Sequence, residues 1–257
     1  MGGIIAVSNQ KGGVGKTTTT VNLAATLASL GKKILLLDID PQGNATSGVG
    51  VDKYNLYKTS YELLLGDYKV KDVIIENVIE NLDLIPATAN LAGAEIELAD
   101  VKKREHILKK KLKGINDNYD YILIDCPPSL NMMTVNALTA ADTVLVPVQT
   151  EYYALEGLIQ LVHTIGLIQN KLNKNLAVDG IVFTMADSRN NLTNQVIQNV
   201  KENCEYYIYE TVIPRNVRLA EAPSHGKPIN LYDPHSVGAQ AYRDLAREFI
   251  RVHENRE

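Results

Sequence analysis

Cysteine is nearly absent from this chain: Cys126 and Cys204 are the only two in 257 residues, far apart and in no CxxC. That excludes a disulfide-stapled secreted fold and the usual thiolate sites for zinc or iron–sulfur clusters. The five histidines (His106, His163, His225, His235, His253) show no metal-ligand spacing and read as structural or surface residues. Excess positive charge is also missing. The net charge is −4, so contact with nucleic acid would need a local basic patch. No apolar run approaches the ~18 residues that span a bilayer, and no charged leader precedes one, which predicts a cytoplasmic protein. There is no repeat, low-complexity linker or Pro/Gly-rich break, so one domain over residues 1–257 is expected.

What is present is an ordinary globular composition, 45% hydrophobic and 22% charged, with a clear rhythm. IIAVS (4–8), ILLLD (34–38), LDLIP (82–86), YILID (121–125), TVLVPV (143–148) and GIVFTM (180–185) are short continuous apolar runs. Continuous rather than alternating apolarity predicts parallel strands covered on both faces. YYIYETVI (206–213) is a candidate seventh strand. Helical spacing follows in residues 16–30 (Leu23, Leu27, Leu30), in 154–171 (Leu155, Leu158, Ile159, Val162, Ile165 on one face) and in 236–254. Strand–helix alternation predicts an α/β fold, a doubly wound and mostly parallel sheet with helices on both faces. The lysine-rich run KKREHILKKKLKG (102–114) reads as a solvated helix face.

The first strand runs directly into SNQKGGVGKTTTT, which then opens a helix, the context a phosphate-binding P-loop requires. Gly12, Gly13 and Gly15 let backbone approach phosphate and take positive φ. With Val14 between them, their N–H groups and the helix N-terminus point at the anion. Lys16 supplies charge between β- and γ-phosphates, the Thr17 hydroxyl suits Mg²⁺, and Thr18 faces the α-phosphate side. The motif departs from GxxxxGK[ST], since Gln10 stands where the first glycine is usual and Lys11 follows it. That second lysine is either a solvated loop residue or an added charge on the γ-phosphate, across a dimer.

Two strand ends supply carboxylates. LLLDIDPQGN (35–44) puts Asp38 and Asp40 at the carboxyl edge of the sheet, where open α/β sheets bind ligands. A carboxylate there can hold a magnesium water or orient the attacking water. YILIDCPPS (121–129) has the Walker B pattern, with Asp125 suited to Mg²⁺ through water. Both Asp40 and Asp125 could instead cap helices. Cys126, a lone cysteine after that strand, reads as a small buried residue.

Taken together, KGGVGKTT, DIDPQGN and ILIDCPPS resemble the ParA/MinD superfamily of deviant Walker A ATPases. NQKGGVGKTTTTVNLAATLASLGKKILLLDIDPQGNATSGVG, VIPRNVRLAEAPSHGKPI and DPHSVGAQAYRDLARE narrow the resemblance to the Soj-like branch of the ParA family, over essentially the whole chain. The resemblance implies ATP and Mg²⁺ as ligands and an ATP-dependent homodimer in which Lys11 reaches the partner's phosphates. It further implies Asp40 as the hydrolytic switch residue, Asp125 as the magnesium residue, and Pro214 and Asn216 as adenine contacts. Lys11, Lys16 and Asp40 are then the catalytic set, with Thr17, Asp40 and Asp125 around the metal. The implied partners are non-specific double-stranded DNA, placing the protein on the nucleoid, and a ParB-like centromere-binding protein that stimulates hydrolysis.

A membrane-associated, MinD-like function is the rival. The tail AYRDLAREFIRVHENRE carries Arg243, Arg247 and Arg251 on one stripe, but its apolar face (Leu245, Phe249, Ile250, Val252) is modest. Packing against the domain is expected rather than membrane insertion. The resemblance to Soj-like proteins implies Arg189 and Arg218 as DNA contacts; with Arg247 on the arginine stripe and, more weakly, Lys201, they are the candidate phosphate-backbone contacts. Only ten residues precede Lys11, so a helix-turn-helix region ahead of the phosphate loop is not expected.

Overall fold

The computed structural model of the chain describes residues 3–187 and 189–254, apart from the side chain of Asn116. Seven strands form one sheet: β1 (Gly3–Val7), β2 (Ile34–Asp38), β3 (Ile75–Ile79), β4 (Leu82–Ile85), β5 (Tyr121–Asp125), β6 (Thr143–Gln149) and β7 (Ala177–Thr184). Their order is β3-β4-β2-β5-β1-β6-β7, and every pairing except β3 with β4 is parallel. The expected doubly wound sheet is therefore the one found.

Each apolar run serves two cores because alternate side chains leave opposite faces of a strand. Leu35, Leu37, Ile122 and Ile124 join one cluster with the helices Met132–Ala140 and Ala154–Lys171. Ile34, Leu36, Ile5 and Leu123 join the other, with the first helix (Lys16–Ser29) and the last (Val237–Glu254). In the last helix Tyr242, Leu245, Ala246 and Phe249 are buried, so its apolar face packs on the domain as expected. The helix Ala154–Lys171 buries Ala154, Leu158, Leu161, Ile165 and Ile168, whereas Ile159 is 59% exposed. The inward stripe is thus rotated from the one expected, and Leu155 and Val162 lie at its margin. The lysine-rich run forms a short helix, Ile107–Leu112, that buries Leu108 and Leu112 and leaves its lysines at the surface.

The seventh strand is not the one expected. β3 takes that place as an antiparallel edge strand, turning into β4 through Glu80–Asn81, with Asn81 at φ 62°. Its half-exposed sequence IENVI lacks a continuous apolar run, since only one face is covered. Residues 206–213 instead touch the β7 edge at separate points. Ile181 N donates to Tyr207 O and Tyr209 N to Ile181 O, both at 2.9 Å, and Ile213 N donates to Phe183 O at 2.8 Å. Four residues separate 209 from 213 where β7 advances two, so the surplus bulges away and no ladder forms.

Register sets the functional edge. Val7 and Asp38 each pair with Asp125, so β1, β2 and β5 end level, with both carboxylates beside the loop that leaves β1.

Candidate nucleotide site

The phosphate loop is held from several sides before any ligand is considered. Asn9 Nδ2 donates to Pro147 O at 2.8 Å, and its Oδ1 accepts Lys11 N at 3.0 Å. Gln10 Nε2 donates to Thr164 Oγ1 at 2.6 Å, which gives the missing first glycine a reason: the side chain there ties the loop to a neighbouring helix. Thr184 Oγ1 donates to Val14 O at 2.8 Å. Gly13 (φ 77°) and Gly15 (φ 87°) occupy the left-handed region that favours glycine. Gly12 differs, because a Cβ built there meets nothing within 4 Å and its φ is not positive. Nothing within the subunit requires glycine at position 12.

Lys16 is buried, and its Nζ donates to the Lys11 carbonyl at 2.8 Å. Burial lowers its pKa, while Asp125, Cys126 and Asp40 oppose that fall. Lys11 has a different environment. Its side chain is about one-third exposed and forms an ion pair with Glu151, at the turn after β6. The two lysines are therefore not equivalent: one is sunk in the loop and the other stands at its rim. Thr17 and Thr18 are half-buried in the first helical turn, where helix N–H groups have no partner within the helix.

Asp125 is fully buried. Its Oδ1 accepts the Thr20 hydroxyl at 3.0 Å, and the nearby Thr17 hydroxyl favours the charged carboxylate. Oδ2 has no hydrogen-bond partner, a costly state for a buried oxygen unless a ligand completes it. Burial first and then nearby Asp38 push the Asp125 pKa well upward. Asp38 is buried too and is raised to about 6 by burial, although Thr46 N, Thr46 Oγ1 and Asp40 N all donate to it. Asp38 thus braces the loop that carries Asp40. Asp40 itself accepts Gln42 N at 2.9 Å. Neither Asp40 nor Asp125 caps a helix: Gly43 and Asn131 hold those positions. Burial raises the Cys126 thiol far above its ordinary value, so it stays neutral and unreactive.

Beside the loop lies an apolar cavity of about 340 Å³ lined by Gly15, Thr18, Met185, Pro214, Asn216, Leu219 and Tyr242, among others. The predicted base contacts Pro214 and Asn216 therefore meet the phosphate loop in space. Asn216 Oδ1 accepts Leu219 N, which leaves its amide nitrogen for a ligand. Met185 is held at φ 51°, backbone strain of about 1–3 kcal/mol that accumulates at ligand sites. A larger cleft, about 820 Å³, opens at the amino ends of β1 and β5. Among the described residues that line it there is no glycine-rich phosphate loop, and ligands of open sheets sit at the other edge.

Sequence reading missed Asn9, Thr184, Met185, Leu219, Tyr242 and Glu151. The position of Thr184 and Met185 at the carboxyl end of a predicted strand was the one available signal. The segments that carry Arg189 and Arg218 are joined by a bridge between Ala186 and Pro214. Arg189 forms a two-point ion pair with Asp187 and is 89% exposed. Arg218 meets Glu221 and Asp233, Arg247 lies 3.7 Å from Asp244, and Lys201 ends the helix Asn191–Asn203. Each of the three arginines already faces a carboxylate of its own chain.

A family profile described as "AAA domain" matches residues 2–178. The sporulation initiation inhibitor protein Soj of Bacillus subtilis is 60% identical, over 96% of this chain and 98% of its own length. The chromosome partitioning protein ParA of Myxococcus xanthus is 51% identical, over 98% of this chain and 89% of its own. Among solved structures, cobyrinic acid a,c-diamide synthase from Mycobacterium smegmatis with bound ATP analog and magnesium is 36% identical. It superposes with a TM-score of 0.87, covering 100% of this chain and 98% of that one. Identity of 60% along nearly the full length of both chains, over a strand, a glycine loop and a helix built as described, places this chain in the ParA/Soj family of chromosome-partitioning P-loop ATPases.

Proposed function

We propose that this chain is an ATP-timed DNA-binding switch. ATP with Mg²⁺ closes two copies face to face, the closed dimer holds double-stranded DNA without sequence preference, and hydrolysis releases it. The observation that carries this reading is the contrast between Lys16 and Lys11. One lysine is buried in its own loop, whereas the other sits at the rim beside a Gly12 that nothing in its own subunit requires. A rim lysine next to an open glycine suits contact with a second copy across a twofold axis.

The residues fit the metal nucleotide. Asp125 offers an unpartnered buried oxygen and Thr17 a hydroxyl. Among the described residues no cluster of three or more His, Cys, Asp or Glu forms a cage of its own. That donor set suits Mg²⁺ held largely by phosphates and water. When bound, the ion neutralises charge on the β- and γ-phosphates. Lys16 and the loop N–H groups orient the triphosphate. Asp40, braced by Asp38, holds the attacking water. Pro214 and Asn216 take the adenine.

For the finer partners, Arg189, Arg218, Arg247 and Lys201 are the proposed phosphate contacts, and a ParB-like protein is the proposed trigger of hydrolysis. Membrane association is disfavoured because the last helix buries the face it would need. Among the described residues no helix is long and apolar enough to cross a membrane. Amide-forming chemistry like that of the synthase is supported only by the lower identity, and Cys126 is too buried to serve as a nucleophile. The test is an Asp40→Ala sample analysed by sedimentation and by retention on plasmid DNA, with and without ATP. Doubling of mass and DNA retention only with ATP are expected. A nucleotide-loaded monomer that ignores DNA would overturn the proposal.

A further inference from the structure

Glu248 is buried near the far end of the last helix, away from the phosphate loop, yet its carboxylate accepts four hydrogen bonds from one short segment. Oε1 accepts Tyr207 Oη at 2.9 Å and Glu210 N at 2.7 Å. Oε2 accepts Thr211 N at 2.9 Å and Thr211 Oγ1 at 2.6 Å. Burial alone would raise this carboxyl, but the donated hydrogen bonds outweigh it and hold the group below the usual range.

The two backbone donors are those the sheet has lost. Residues 207 and 209 bond to Ile181, and residue 213 bonds to Phe183 and Ala186, so the surplus at 210–212 has no strand partner. N–H groups that a bulge leaves without a ladder partner turn to a side chain or to water. Here one carboxylate satisfies both and sets how much chain is stored in the bulge. Immediately beyond it, Ile213, Pro214 and Asn216 turn into the apolar cavity beside Gly15. The same helix supports that cavity again, with Tyr242 in its wall and Gly238 against Leu219.

We propose that Glu248 is a positioning residue for base recognition: it fixes the register of residues 210–216 and thereby the shape of the adenine pocket, without touching the nucleotide. This rests on the reading of residues 213–216 as the base site. A neutral amide at 248 keeps the size but turns one acceptor into a donor facing a donor, so the bulge must re-register.

The test compares Mg–ATP with inorganic tripolyphosphate, which fills only the phosphate half, by calorimetry. Glu248→Gln is expected to weaken ATP about tenfold while tripolyphosphate stays within about twofold. Thr211→Val, which removes a single donor, should weaken ATP by about threefold in the same selective way. A folded Glu248→Gln protein with unchanged ATP affinity, or with equal losses for both ligands, overturns the inference. Should that variant not fold, wild-type ATP affinity in Thr211→Val overturns it. Asn216→Ala separates the two readings. If it binds ATP as the wild type does, the base site itself is misplaced. If it weakens ATP while Glu248→Gln does not, only the role of Glu248 fails.

Discussion

The two halves of the nucleotide site are built differently. The phosphate half is a single contiguous stretch, Asn9 to Thr20, and its key groups are backbone N–H, one lysine and threonine hydroxyls. The proposed base half would be assembled from Met185 after β7, residues 213–216, Leu219 and Tyr242 of the last helix, which line one cavity. The first half takes its shape from local glycine conformations, pinned by the side-chain hydrogen bonds that tie Asn9, Gln10 and Val14 to Pro147, Thr164 and Thr184. The second half inherits its shape from packing between segments far apart in sequence. Damage to the first should abolish binding of any polyphosphate, and damage to the second should be felt by the base alone.

The largest expected effect probes the first half. Lys16→Ala should weaken both ATP and tripolyphosphate by about 100-fold or more, since it removes the loop's only buried cation. Equilibrium binding of both ligands checks this, and a loss confined to ATP would break the comparison. Next comes Asp40→Ala. Turnover at saturating ATP should fall on the order of 100-fold with ATP affinity within about threefold, as for a residue acting in the transition state. Near-normal turnover would remove Asp40 from that role.

A change in the base half should be smaller and selective. A Cβ at Gly238 would lie 2.7 Å from Leu219 Cγ. Gly238→Ala should therefore push Leu219 into the cavity, at about 1–3 kcal/mol of overpacking, and weaken ATP but not tripolyphosphate. Equal weakening of both would mean that the halves are not separable.

The carboxylate cluster on the β2 and β5 side of the phosphate loop offers a pH test. Asp38 has a folded pKa of about 6, above its ordinary 3.8, so the native state takes up the proton first as pH falls. Its contribution to stability therefore improves from about pH 7 down to about pH 4, and chemical denaturation should show a shallower gain in Asp38→Asn. The smallest effect is expected at the surface. Asp187→Asn frees Arg189 from its two-point pair, so non-specific DNA retention at moderate salt should rise a few-fold. Unchanged or weaker retention would argue that Arg189 does not meet DNA.

Legibility in the sequence follows the same division. KGGVGKTT, DIDPQGN and YILID announce their chemistry because each motif is a strand end joined to its own turn, and the level ends of β1, β2 and β5 keep them together. The candidate arginines could be named from the sequence, but not their pairing to Asp187, Glu221 and Asp244, which arises from loop and helix geometry. The edge was the hard part of the sheet. β3 was hidden by its half-polar sequence, and 206–213 was overrated because its aromatic, β-branched run packs as a bulged flank rather than a strand.

From the sequence alone came the layered α/β fold, the phosphate loop, the carboxylates at the strand ends and the family, all consequences of short-range periodicity and contiguous motifs. Tertiary structure alone decided which face of each helix is buried, that Glu151 holds Lys11, that Asp38 braces Asp40, and that residues 213–216 line a cavity with Gly15 and Tyr242. The reason is physical: backbone propensity and local turns act over a few residues, whereas a cavity or a buried ion exists only once distant segments have excluded water between them.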